Sequence, residues 1–263
     1  MSPIALIGLP TDVNSSHVRG AARGPAAIRK ALWSGASHLT TELGVDVGGK
    51  GVLVDRGDLK LREKAADRDR IEAAVRLVLE AGEKPLLLGG DHSVTYPILR
   101  GIAAHHGPVN LLHFDAHPDL YDHYEGNRFS HASPFARIME EGLVKKLVQV
   151  GIRTVNEHQA AQAKRFGVSM ITMRAMAAGR VPIPEGPLYI SIDLDALDPA
   201  FAPGVAHREP GGLSVRDILN VLHRVRGPVV GADVVELRPA SDLDGVTAVV
   251  AAKLVKELAG LLR

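Results

Sequence analysis

Short apolar runs alternate with segments of helical period along the whole chain, and this alternation restricts the fold more than any other feature. The runs cover residues 4–8, 52–55, 85–88, 109–114, 147–150, 168–172, 188–192 and 229–235. Between most of them, apolar residues recur at helical spacing, over about 26–32, 70–80, 94–105, 134–141, 156–165, 215–225 and 246–261. Strands alternating with helices of this length predict βαβ units and a parallel sheet. The runs are nearly continuous in apolar residues, as strands covered on both faces must be. The expected fold class is therefore α/β. No repeat, linker composition or charge block divides the chain, so residues 1–263 are expected to form one unit.

Composition removes several functional classes. The chain has no cysteine, which excludes a disulfide framework, a zinc finger and an iron–sulfur cluster. Thirty-one basic residues against thirty acidic ones give no nucleic-acid footprint. The opening MSPIALIGLP lacks a basic leader, and no apolar run is long enough to span a bilayer. These features predict a cytoplasmic protein with no nucleic-acid and no membrane partner. Histidine, with twelve copies, is the one chemically rich residue present in number.

Four polar clusters follow predicted strands: Gly89-Gly-Asp-His-Ser93, Asp115-Ala-His-Pro-Asp119, Asp193-Leu-Asp195 and Glu236-Leu-Arg-Pro239. Ligands of an open parallel sheet bind beyond the carboxyl ends of its strands, so the four clusters are expected to meet on one edge. Period 2 in extended chain turns Asp115, His117 and Asp119 one way, and Asp193 and Asp195 likewise. So many carboxylates at one sheet edge repel one another and lose hydration, and no local Lys or Arg density compensates. Two divalent cations would. Carboxylate and imidazole donors without thiolate favour a harder ion such as Mn²⁺. A metal pair lowers the pKa of a shared water, and the implied reaction is a hydrolysis. Each cluster alone has a bland alternative: Asp193-Leu-Asp195 suits a turn, and Asp91 or Ser93 suits a helix cap. His105 and His106 suit a helix C-terminus.

At these residues the chain resembles the ureohydrolases, the family of arginases and agmatinases, over nearly its whole length. The motifs carrying the resemblance are Gly89-Gly-Asp-His-Ser93, Asp115-Ala-His-Pro-Asp119, Ser191-Ile-Asp-Leu-Asp-Ala-Leu-Asp-Pro199 and Gly231-Ala-Asp-Val-Val-Glu236. The stretches 115–142 and 201–213 are similar to plant-type arginases in particular.

The resemblance implies a three-layer α/β/α sandwich on an eight-stranded parallel sheet, assembled as a homotrimer or homohexamer. It implies two Mn²⁺ per subunit, one held by His92, Asp115, Asp119 and Asp193, the other by Asp115, His117, Asp193 and Asp195. His131 matches the family's proton carrier, Glu236 the carboxylate that receives a guanidinium, and Asp119 joins them as a catalytic candidate. Asn127, Arg128, His207 and Glu209 are candidates for the substrate's far end. Two positions depart from the family pattern: Ala132 follows His131 where glycine is usual, and Tyr121 stands where animal arginases have asparagine.

The implied substrate is a small guanidino compound. L-arginine comes first because of the plant-type loops, agmatine second, and guanidinobutyrate and formiminoglutamate after them. Two other classes share the fold, a zinc deacetylase and a silent scaffold. The complete set of six candidate ligands argues against both.

Overall fold

A computed structural model describes residues 2–176 and 181–263. Each of the eight apolar runs forms a strand: β1 (Ile4–Leu9), β2 (Leu53–Asp58), β3 (Lys84–Gly89), β4 (Val109–Phe114), β5 (Val144–Ile152), β6 (Ser169–Thr172), β7 (Leu188–Asp193) and β8 (Val229–Val235). The helices are α1 (Gly24–Leu32), α2 (Asp67–Glu80), α3 (Thr95–His106), α4 (Pro134–Glu140), α5 (Glu157–Phe166), α6 (Met173–Met176), α7 (Val215–Leu222) and α8 (Val246–Leu262). Helix α6 was not expected from the sequence. It is one turn with no apolar stripe long enough to show a period. The irregular stretch expected at 173–187 lies partly outside the described residues.

Local chemistry sets several boundaries. Asn156 caps α5 by accepting the Gln159 N–H, and Ser214 with Asp217 forms a reciprocal capping box on α7. His105 and His106 lie in the last turn of α3, as expected, and Gly107 stops that helix with a positive φ.

All eight strands pair in parallel, in the order β2-β1-β3-β8-β7-β4-β5-β6. Strict alternation along each strand feeds two separate cores. Ile4, Leu6, Leu86, Leu88, Leu112 and Phe114 face α1, α7 and α8. Ala5, Ile7, Leu87, Leu111 and Leu147 face the helices α2 to α5. The result is the three-layer α/β/α sandwich. No helix among the described residues is long and apolar enough to cross a membrane.

The strand order matters most for function. β3, β8, β7 and β4 are consecutive in the middle of the sheet, although the chain visits them far apart in sequence. Their carboxyl ends lead directly into the four polar clusters. One close approach locks this edge: a Cβ on Gly90 would lie 1.8 Å from the Thr11 carbonyl oxygen, while Gly90 O accepts the Glu236 N–H. Gly90→Ala is therefore expected to force the β1 and β3 loops apart at a cost of about 1–3 kcal/mol. A denaturant midpoint equal to wild type would contradict this packing.

Candidate metal centre and active site

Asp91 ends β3's turn by accepting Ser93 N–H with its side chain, and this turn delivers His92 to the sheet edge. The Asp91 cap expected of that motif is present. His92 is fully buried, and its Nδ1 lies 3.2 Å from Asp115 Oδ2, 3.2 Å from Asp119 Oδ2 and 3.1 Å from Asp193 Oδ2. No hydrogen bond is formed there in acceptable geometry, and Nδ1 is an orphaned buried polar atom. The other ring nitrogen explains its state. Ser191 Oγ donates its single proton to Asp233 Oδ1 at 2.6 Å, so it accepts from His92 Nε2 at 3.0 Å. In the neutral ring, Nδ1 then offers a bare lone pair to a point that three carboxylates also face. Four converging donors and no acceptor fit a bound cation.

A second group adjoins the first. His117 Nδ1 lies 3.4 Å from Asp115 Oδ1 and 3.0 Å from Asp195 Oδ2. Asp115 thus turns one oxygen to each group. The turn backbone holds these carboxylates: His117 N–H donates to Asp115, Ala116 N–H and Asp195 N–H to Asp195 and Asp193 respectively. Arg153 fastens the loop after β7 by donating to the carbonyls of Asp195, Ala196, Leu197 and Glu209.

Electrostatics follow from crowding. Burial and the neighbouring Asp195 and Asp115 push Asp193 well above the usual carboxylate range. Burial and Asp115 raise Asp195 to about 6. Burial opposes charge on Asp115 too, yet His113, His117 and His92 hold it well below. Burial likewise opposes charge on His92, but Asp115, Asp119 and Asp193 draw it well above its usual value. The site demands positive charge, which a proton or a metal ion can supply. Backbone strain marks the same place. Asp119 and Glu236 both adopt positive φ, 49° and 67°, which side chains other than glycine seldom do.

Glu236 Oε1 accepts the His92 N–H at 2.9 Å and faces His131 Nδ1 at 2.8 Å. The remaining His131 nitrogen meets Ser16 Oγ at 2.9 Å. His207 packs its ring 5.4 Å from His131 and 5.9 Å from His117, and its Nε2 is buried without a partner. A cavity of about 560 Å³ opens above these groups, with His117, Asp119, His131, His207, Glu209 and Glu236 in its wall. Tyr121 and Asn156 stand further along the same wall.

Two expected readers of the substrate's far end are placed elsewhere. Asn127 donates to Asn14 Oδ1 and accepts Phe129 N–H, so its amide ties loops together outside the cavity wall. Arg128 is exposed and pairs with Glu140 on α4. Both are corrected to supporting roles. A polar side chain in a loop has nearby backbone and charged neighbours to satisfy, and spacing does not reveal which it chooses. The sequence reading missed the row beneath the donors: Gln149, His113, Ser191 and Asp233, all fully buried. Each interrupts an apolar strand, and that interruption was the available signal.

The structure is an α/β/α sandwich with groups of candidate metal-ligating side chains at the carboxyl edge of its sheet. The Arginase family pattern matches residues 2–260. "Arginase 1, mitochondrial" of Arabidopsis thaliana is 50% identical over 97% of this chain and 80% of its own length. Among solved structures, arginase from Medicago truncatula superposes with a TM-score of 0.95 at 43% identity, covering 99% of this chain and 87% of that one. Proclavaminate amidino hydrolase from Streptomyces clavuligerus gives 0.91 at 32%, covering 99% and 92%. The chain belongs to the arginase family and is a ureohydrolase acting on carbon–nitrogen bonds.

The comparisons overturn one expectation. The Arabidopsis relatives are named mitochondrial, or chloroplastic and mitochondrial, so the expectation of a cytoplasmic protein does not stand. An organelle address is read by a receptor from a segment that adds nothing to the fold, so composition and core patterning carry no information about it.

The His131–Glu236 pair gives a pH test. Burial opposes charge on His131, but Glu236 outweighs it and lifts the imidazole from 6.5 to about 9. A raised folded-state value stabilises the fold fully below about pH 6.5, and the contribution fades as pH rises through about 9. In metal-free protein, the gap in denaturant midpoint between wild type and His131→Asn is expected to shrink from pH 6.5 to 9.5. A gap independent of pH would remove the ion pair.

Proposed function

We propose that the chain is an arginase, a metal-dependent hydrolase converting L-arginine to L-ornithine and urea. The carrying observation is the convergence of His92 Nδ1 with Asp115, Asp119 and Asp193, beside the His117–Asp195 group and Glu236 in one cavity. His92, Asp115, Asp119 and Asp193 would hold one divalent cation, and Asp115, His117, Asp193 and Asp195 a second. Oxygen and imidazole donors without thiolate suit Mn²⁺. Two such ions supply a water of lowered pKa and positive charge for the transition state.

The chain's own groups do the rest. A guanidinium is planar and cationic, and a carboxylate at a strand end receives it by charge-assisted hydrogen bonds. Glu236 Oε1 already faces His92 N and His131 Nδ1, which leaves Oε2 for the substrate. Water adds to the central carbon, one C–N bond breaks, and both water protons end on the departing nitrogen, which leaves as an ammonium beside urea. Glu236 raises the proton affinity of His131, so the imidazole can relay one of those protons from the water to the leaving nitrogen. Ser16 on the opposite ring nitrogen keeps the imidazole in place.

The far end of the cavity favours arginine over agmatine. Asn156 Oδ1 is committed to the Gln159 N–H, so its Nδ2 donates to Tyr121 Oη at 2.6 Å. The tyrosine hydroxyl therefore keeps its own proton to donate, and the N-terminus of α5 adds a positive dipole end. Both suit a carboxylate, which arginine has and agmatine lacks. Glu209, half-exposed at the mouth, suits the ammonium, and the unpartnered His207 Nε2 suits a polar atom between them. Residues 1–263 act as one catalytic unit within a homotrimer or homohexamer, which sedimentation tests.

The deciding assay measures urea released with Mn²⁺ from arginine, agmatine and guanidinobutyrate, and formamide from formiminoglutamate. Arginine is expected to give the highest kcat/KM. Faster release from agmatine would replace the arginase reading, and no release from any would end it. Tyr121→Phe is expected to raise KM for arginine roughly 10-fold or more, since a hydrogen bond to a charged group is lost, and to leave agmatine unchanged. Asp195→Ala is expected to lose one of two bound ions and nearly all activity, read by elemental analysis and urea release. Two ions retained would dissolve the second metal group.

A further inference from the structure

His113 interrupts β4 and lies two residues before Asp115, on the same face of the strand. The parallel register places it beside Gln149 of β5 and Ser191 of β7, and Ser191 beside Asp233 of β8. A polar row thus crosses four neighbouring strands one level beneath the metal donors. Ser191 and Asp233 in this row support His92. The other half of the row faces Asp115.

The hydrogen bonds of that half have one consistent arrangement. Pro118 O can only accept, and it lies 2.6 Å from Gln149 Nε2, so the amide turns its NH₂ that way. The same NH₂ meets His113 Nδ1 at 3.1 Å, which makes Nδ1 an acceptor in the neutral ring. The imidazole proton then sits on Nε2, 2.9 Å from Asp115 Oδ2. The ring cannot turn away: Phe135 of α4 packs against it with centroids 4.0 Å apart, and both residues are fully buried. Asp115 Oδ2 is the same oxygen that faces His92 Nδ1.

We propose that His113 and Gln149 form a positioning pair that aims the Asp115 carboxylate and so sets the chain's affinity for divalent cations. Gln149 fixes the tautomer of His113. His113 holds Asp115 Oδ2 by its N–H and leaves the second lone pair of that oxygen for the ion. Gln149 also ties Pro118 O, one residue before Asp119, so the pair anchors both acidic ends of the Asp115–Asp119 cluster. A carboxylate oriented by a buried imidazole in this way typically binds metal 10–100-fold more tightly than one left free. The inference rests on the metal reading of the site.

Metal-free protein is titrated with Mn²⁺, free ion is followed by electron paramagnetic resonance, and bound ions are counted by elemental analysis. His113→Phe keeps an aromatic ring, slightly larger, and removes the donor. It is expected to weaken Mn²⁺ binding 10–100-fold with the ion count at saturation unchanged. His113→Gln restores a donor near the Nε2 position and is expected to recover most of that loss. Gln149→Leu leaves the imidazole in place, frees its tautomer, and is expected to fall between the two. This variant carries the test if His113→Phe fails to fold. Thermal melts of the metal-free variants report any purely structural damage, which would not respond to the His113→Gln rescue.

Affinities within twofold of wild type in both His113→Phe and Gln149→Leu would overturn the proposal and leave the metal reading intact. A drop of one ion in His113→Phe, with Gln149→Leu unaffected, would overturn it in favour of His113 as a direct ligand. Absence of stoichiometric Mn²⁺ binding by wild type would overturn the metal reading itself and the proposal with it.

Discussion

Asp115, Asp119, Asp193 and Asp195 meet in a buried space at the carboxyl ends of β4 and β7, next to Glu236 from β8. Like charges in a poorly solvated space repel strongly, and each has lost the water that would screen it. The site nevertheless persists because its surroundings fix most of the carboxylates in advance. Backbone N–H groups of the turns hold the oxygens of Asp115, Asp193 and Asp195. Imidazoles of His92, His113 and His117 face them. The remaining demand for positive charge is what makes the site a cation trap. Folding energy from the two cores maintains an arrangement that the carboxylates alone would oppose.

That constraint arranges the molecule in levels. The lowest is the polar row Gln149–His113–Ser191–Asp233, running across the sheet beneath the donors. Above it stand the carboxylates and His92, with His92 tied down to Ser191 and Asp115 to His113. Above these lie Glu236 and His131, whose contact keeps an acid and a base side by side in opposite charge states. The cavity mouth, with Tyr121, Asn156 and Glu209, is the outermost level and the most exposed. Burial falls outward, from the fully buried row to the open mouth.

Much of the fold was legible along the chain. All eight strands were visible as apolar runs, and their ends shifted by at most three residues once the ladder formed. The polar clusters that meet at the sheet edge also stood out along the chain, because carboxylates and imidazoles two apart at a strand end serve no packing purpose. Single polar residues inside apolar strands were not legible as function. His113, Gln149, Ser191 and Asp233 gain meaning only from neighbours on adjacent strands, and a strand's sequence does not name its neighbours. Loop residues failed in the opposite direction. Asn127 and Arg128 were attractive by type and spacing, yet Asn14 and Glu140 satisfy them away from the cavity.

The sequence by itself determined the elements, their two-sided burial and the chemical inventory of the site, since these depend on composition and on periods of 2 and 3.6 within short windows. Tertiary structure alone decided which strands stand together. The order β3-β8-β7-β4 brings groups from across the chain onto one edge, and parallel register decides which buried side chains face one another. Contacts of that kind arise only when distant segments pack, so no local pattern could have announced them.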